Sequence, residues 1–252
     1  MASLSEIVQY CNERLQVARY SDYCPNGLQV DGRPEVSRLV TGVTASQALL
    51  DAAVDAGADA VLVHHGYFWK GEAPALTGMK YRRISTLIRH DISLIAYHLP
   101  LDGHPQIGNN ISLARRLGLT ACTPGGDSMP HSIVFVGEFS EAMPAGALAA
   151  LLGEKLARQP LWVSGGEQAV RRVAICTGGA QGYIGLAAEL GADAFITGEA
   201  SEQTTHIARE EGIHFFAAGH HATERYGVQA LGEELAAKFS LQHQFIDVDN
   251  PV

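Results

Sequence analysis

One segment of this chain is written twice. Residues 39–65 read as a strand, a loop, an Ala-rich helix over 47–56, a glycine at position 57 and a second strand, and residues 173–199 repeat that order. Gly57-Ala58-Asp59-Ala60 aligns with Gly191-Ala192-Asp193-Ala194, and the same alignment pairs Gln47 with Gln181, Ala53 with Ala187 and Asp55 with Glu189. Each unit runs on into a further helix and strand, 81–90 then 92–97 in one case and 202–211 then 213–218 in the other. Strands that alternate with helices require a mainly parallel sheet, because a parallel neighbour is reached only through a crossover. The expectation is an α/β protein made of two related α/β halves with mainly parallel or mixed sheets. The first half covers residues 1–123 and the second 124–252. Gly-Ala-Asp-Ala is also a common way to end a helix, so the halves are either related or merely alike at these points. Pro124-Gly125-Gly126-Asp127 predicts a turn at the junction, followed by a strand over 133–139 and a helix over 145–157. A last helix over 228–239 and strand over 244–248 can pack on either half.

Three of the predicted strands end in histidine. The run Ala60-Val61-Leu62-Val63 leads into His64 and His65; residues 92–97 lead to His98 and Asp102; residues 213–218 lead to His220, His221 and Glu224. The carboxyl ends of parallel strands are where open α/β sheets bind ligands, so this placement is that of a metal site. Glu224 follows His220 by four residues and shares a face with it if the segment opens a helix. His98 and Asp102 have the same spacing, but Pro100 points to a turn there rather than continuous helix. Adjacent histidines face opposite ways in a regular strand, and only a strand end lets His64 and His65 converge. Imidazole with carboxylate and no thiolate suits two divalent ions of the Zn, Mn, Fe, Co or Ni group better than Ca or a closed structural zinc. Of the eleven histidines, His90, His104, His131, His206, His214 and His243 read as ordinary surface or hydrogen-bonding residues, with His131 beside Pro130 placed to line a pocket.

Other properties narrow the function classes. The 252 residues carry 18 basic and 27 acidic side chains, a formal charge of −9, with no Lys/Arg stripe to neutralise phosphates, so nucleic acid is disfavoured unless Arg82, Arg83, Arg115 and Arg116 gather on one surface. Cys11, Cys24, Cys122 and Cys176 are scattered without a C-x-x-C pair, which reads as reduced thiols in the cytoplasm. Ser3 and Glu6 form the pattern of a capping box opening an amphipathic helix, not a signal peptide, and no apolar run is long enough to span a bilayer.

Asn26-Gly27-Leu28-Gln29-Val30, His64-His65-Gly66, His98-Leu99-Pro100-Leu101-Asp102 and Gly219-His220-His221-Ala222-Thr223-Glu224-Arg225 together resemble the Nif-three-like dinuclear metal-centre proteins, the family of GTP cyclohydrolase 1 type 2 homologues. The resemblance runs from Asn26 to Arg225. It implies that His64, His65, Asp102, His220 and Glu224 hold two metal ions in a cleft between the halves, with Asp102 and Glu224 the candidates for bridging. It also implies a homohexameric ring built as a trimer of dimers. His98 then becomes a residue that orients a ligand or one that transfers protons, and Glu224 shares the catalytic candidacy with it.

Thr177-Gly178-Gly179-Ala180-Gln181-Gly182 lies between a strand and a helix, where its amides can hold an anion or its glycines simply turn the chain. Tyr67, Phe68 and Trp69 can stack on a planar base or pack a pocket wall. Glu199 ends a strand and either joins the metal cleft or serves as a first-turn helix carboxylate. Two function classes follow. The first is a dinuclear-metal-dependent hydrolase acting on a nucleotide or phosphoester, with a purine nucleotide such as GTP as the substrate the resemblance implies. The second is a non-catalytic metal-binding or regulatory oligomeric scaffold. Five ligands shared between two ions leave coordination positions open, which favours chemistry.

Overall fold

The computed structural model describes residues 1–125 and 132–252. Gly126, Asp127 and His131 lie outside the described residues. The fold is mixed α/β, and the chain divides into two compact units: residues 1–101 with 227–249, and residues 102–226 with 250–252. The chain therefore leaves the first unit after Leu101 and returns to it at Gly227, instead of crossing once near residue 123.

Among the described residues, five strands form the first unit's sheet, in the order Gln242–Phe245, Arg38–Thr44, Ala60–His65, Ser93–Ala96 and Gly27–Val30. The first four run parallel and Gly27–Val30 is antiparallel at the edge. The strand predicted over 244–248 is thus Gln242–Phe245, and it adds to this unit. Helices Gln47–Asp55 and Gly78–Arg89 make the crossovers. Ser46 caps the first of them by accepting from Leu49 N at 3.3 Å. Val40, Leu49, Val61, Val63, Leu87 and Leu94 are fully buried between helices and sheet, and each contributes about 1.5–3 kcal/mol by leaving water. The N-terminal helix, Leu4–Arg14, begins where expected, but no capping box forms: Ser3 Oγ lies 2.7 Å from Ser5 Oγ instead.

In the second unit, six strands among the described residues follow the order Thr120–Pro124, Phe135–Met143, Val170–Ile175, Ala194–Thr197, His214–Ala217 and Leu161–Val163. The central trio Val170–Ile175, Ala194–Thr197 and His214–Ala217 is parallel, and the flanking strands are antiparallel. One apolar layer gathers Leu148, Leu152, Val173, Ile196 and Phe216, and another Phe195, Phe215, Ala187 and Ala208.

The written repeat is also a structural one. Asp59 Oδ2 accepts from Ser37 N and Arg38 N, each at 2.9 Å, while Asp193 Oδ2 accepts from Arg171 N and Arg172 N at 2.9 and 2.8 Å. Asp59 N donates to Arg38 O and Asp193 N to Arg172 O; Ser93 N donates to Asp59 O and His214 N to Asp193 O. Gly57 and Gly191 both take left-handed backbone, at φ 67° and 69°, which a residue with a Cβ adopts only at a cost. In both units this aspartate sets the register of three parallel strands. Among the described residues, no helix is long and apolar enough to cross a membrane.

Candidate metal centre

In the first unit three imidazoles meet. His64 and His65 close the Ala60–His65 strand, and their ring centroids lie 4.6 Å apart; His98, just beyond Ser93–Ala96, is 5.1 Å from His64 and 5.8 Å from His65. One ring nitrogen of each lies within 4.8 Å of the other two. His64 Nδ1 donates to the Tyr97 carbonyl at 2.9 Å, His65 Nδ1 is 3.1 Å from Thr44 Oγ1, and His98 Nδ1 donates to Asp22 Oδ1 at 2.7 Å. A carbonyl and a carboxylate only accept, so the tautomers of His64 and His98 are set and Nε2 is the lone-pair nitrogen in each. Outer acceptors of this kind orient metal-binding histidines. Gly66 follows because there is no room for a side chain: a Cβ there would come within 2.7 Å of Ala96 Cβ and overlap Gln29.

Asp22 is the residue that sequence reasoning missed. It accepts from Tyr23 N, Asn26 Nδ2, Leu99 N and His98 Nδ1 at 2.6–2.9 Å. Burial would raise its pKa, but the hydrogen bonds donated by His98, Asn26 and Tyr23 outweigh that and hold the carboxyl down to about 2. Asn26 also accepts from His98 N at 2.8 Å, which gives the Asn26-Gly27 motif its role. The aromatic trio divides its tasks. Tyr67 is buried with its hydroxyl on Ala45 O, Phe68 is exposed with Lys80 over its ring, and Trp69 stands edge-on to His98 with centroids 5.0 Å apart.

In the second unit the donors are two carboxylates and one imidazole. Pro100 does not prevent a helical turn over Leu99–Asp102, since a proline near a helix start forfeits no hydrogen bond. Asp102 is 5 % exposed and its Oδ1 accepts from Asn109 Nδ2 at 2.8 Å and Thr177 Oγ1 at 3.2 Å. His220 opens a helical turn, His220–Thr223, which brings its Nε2 to 3.2 Å from Glu224 Oε2. Glu224 is 2 % exposed, and one of its oxygens lies within 4.8 Å of an Asp102 oxygen. Two buried carboxylates so close repel unless a cation or proton is shared between them. Glu199 accepts from His220 Nδ1 at 2.7 Å, so it is the outer partner of that ring and not a helix-turn carboxylate. Burial lowers the His220 pKa, yet hydrogen bonds and charges from Glu224 and then Glu199 overcome it and push the ring up to about 9.

The glycine-rich loop belongs to this group as well. Gly178 has φ 74°, and a Cβ there would overlap the Glu224 carboxylate, 2.9 Å from Cδ and 3.1 Å from His220 Nε2. Gly178 N donates to Thr223 Oγ1 at 3.1 Å, and Gly178 O accepts from Gly198 N at 2.8 Å. Its backbone packs on the Glu224 side chain.

Three of the histidines outside these sets, His214, His243 and His104, have structural partners. His214 receives Gly165 N and donates to Gln168 O, His243 meets Thr41 Oγ1 at 2.8 Å, and His104 Nδ1 receives Gln106 N and Ile107 N. Arg116 lies over the Tyr226 ring at 4.1 Å, and Arg115 Nη1 donates to Gln106 O.

Imidazoles with fixed tautomers and paired buried carboxylates fit a divalent cation, and they define a mixed α/β protein with His, Asp and Glu groupings able to hold metal. The chain belongs to the Duf34/NIF3 (NGG1p interacting factor 3) family, whose model matches residues 2–251. It is 59 % identical over 249 residues to a Pseudomonas aeruginosa protein named GTP cyclohydrolase 1 type 2 homolog, covering 99 % of this chain and 98 % of that one. A protein of the same name from Escherichia coli K12 is 55 % identical over 248 residues, with 98 % of each covered. The solved structure of protein ybgI, described as of unknown function, superposes with a TM-score of 0.95 at 54 % identity over the full length of both chains.

Proposed function

We propose that His64, His65, Asp102, His220 and Glu224 hold two divalent ions of the Zn, Mn, Fe, Co or Ni group, and that the protein is a metal-dependent hydrolase. The observation that carries this is the approach of the buried Asp102 and Glu224 carboxylates to within 4.8 Å, a pairing that makes electrostatic sense around shared cations. When bound, the ions would supply Lewis acidity and lower the pKa of water.

The chain's own residues do the rest. Thr177 and Asn109 fix the Asp102 carboxylate, and Glu199 fixes His220. Asp22 holds His98 with Nδ1 protonated, so Nε2 is the nitrogen that takes a proton from attacking water and returns it to the leaving group. Glu224 is the second proton carrier. Relatives named GTP cyclohydrolase 1 type 2 homolog direct the substrate choice to a purine nucleotide, in which hydrolysis adds water across a C–N bond of the imidazole ring and opens it. Trp69, edge-on to His98, offers an apolar surface for a planar base.

The test is metal analysis of the purified protein, then turnover of GTP, other nucleotides and phosphoesters by wild type, His64→Ala and Glu224→Ala. The expected result is metal-dependent turnover that falls at least about a hundredfold in both variants. Turnover surviving both substitutions would remove the mechanism. Metal binding without turnover of any of these compounds, with both substitutions lowering the melting temperature or splitting an oligomer, would establish the scaffold reading instead.

A further inference from the structure

Asp22, Cys24 and His98 make a second ligand-bearing cluster in the first unit. One ligand atom from each lies within 4.8 Å of the other two. Cys24 is 8 % exposed, and the side chains of Asp22 and His98 are 4 % and 14 % exposed. The Asp22 carboxylate accepts four N–H groups, which fills its lone-pair positions. Three of those donors are backbone or amide groups that cannot give up a proton. The fourth, His98 Nδ1, can lose its proton to a tautomer change, and this frees one position on Asp22 Oδ1 and one on the ring together.

We propose that Cys24 Sγ, His98 Nδ1 and Asp22 Oδ1 form a mononuclear site for a thiophilic divalent cation of the zinc class, distinct from the His64, His65 and His98 set. Binding releases the Cys24 thiol proton to solvent and shifts the His98 proton from Nδ1 to Nε2. Thiolate and carboxylate then balance the divalent charge, so a neutral unit is left in a buried place. Sulfur selects zinc or cadmium over magnesium, calcium or manganese. Ligands at zinc bonding distances stand about 3.3–3.8 Å apart in a tetrahedron, so His98 Nδ1 and Asp22 Oδ1, now hydrogen-bonded at 2.7 Å, move apart by about 0.6 Å as the cation takes the place of the proton between them. Without a cation the thiol stays protonated, since burial and then the Asp22 charge push it up to about 12. A His98 that binds through Nδ1 carries its proton on Nε2, so the two sets compete for one ring.

Cadmium added to chelator-stripped full-length protein reads this site directly through the ultraviolet cadmium–thiolate charge-transfer band. Wild type shows the band at one equivalent of thiolate-bound cadmium, Cys24→Ala and Cys24→Ser lose it, and Cys122→Ala keeps it, with circular dichroism confirming the fold of each. The His64→Ala/His65→Ala pair also keeps the band, which separates this site from the hydrolase reading; that reading can fail while the band remains. Zinc affinity at the cadmium-competed site falls about tenfold or more in Cys24→Ser. Absence of the band from wild type, its survival in the Cys24 variants, or its loss from the His64/His65 pair would each overturn the proposal.

Discussion

Gly178→Ala tests the packing of the glycine-rich loop against Glu224. The alanine must adopt φ near 74°, which costs a residue with a Cβ about 1–2 kcal/mol. The new methyl also drives the Glu224 carboxylate away: its Cδ would have to retreat from 2.9 Å to at least 3.4 Å, and its nearer oxygen further. Glu224 is 2 % exposed and has nowhere to swing without loosening from His220 Nε2, 3.2 Å away. Loss of a charge-assisted hydrogen bond of that kind adds about 1.5–3 kcal/mol. The total, about 2.5–5 kcal/mol, corresponds to a melting-temperature drop on the order of 5–20 °C for a chain of this size. Because the carboxylate is also a candidate ligand, cobalt or zinc affinity measured against a competing chelator should fall about tenfold or more. Gly182→Ala, in the same loop, meets nothing within 4 Å and is the neutral control. If Gly178→Ala melted with wild type and bound metal equally well, the loop would be an ordinary turn and the account of its packing would be wrong.

The paired aspartates give a second expectation: Asp59→Ala and Asp193→Ala each remove the acceptor of two backbone N–H groups, so each should lower stability in urea by about 1–3 kcal/mol, and a neutral result for either would break the equivalence of the units. Burial lowers the pKa of His243 below its ordinary value. The unfolded chain then binds a proton that the folded one refuses, so stability is intact above the unfolded pKa of about 6.5 and declines as pH falls through it toward the folded value. His243→Asn should therefore lose less of its urea midpoint than wild type between about pH 7.5 and pH 5.5, and equal losses would refute this. Chelator-stripped protein should regain a higher melting temperature on adding zinc or cobalt, by mass action on the folded state; no shift in wild type would count against metal binding by the folded chain.

What the sequence determined by itself is whatever depends on neighbours along the chain. The alternation of apolar strands with Ala-rich helices, the left-handed glycines at 57 and 191, and histidines at strand ends are all local patterns, and residues paired by alignment, Asp59 with Asp193, play matching parts in space. Tertiary structure decided everything that depends on residues far apart. Asp22 reaches His98 across 76 residues and Thr44 reaches His65 across 21; no spacing rule signals such pairs. The capping pattern at Ser3 and Glu6 was legible but idle, because Ser3 turned to Ser5. Pro100 points to a turn rather than continuous helix, and a single helical turn, Leu99–Asp102, is what forms there, with the proline in a first-turn position that tolerates it. Gly178 looked like a turn residue and is held glycine by the side chain of Glu224, 46 residues later. Local propensity selects elements, while the choice of which strand ends, carboxylates and thiols meet is made by burial of the apolar faces between them, and that is settled only when the sheets are assembled.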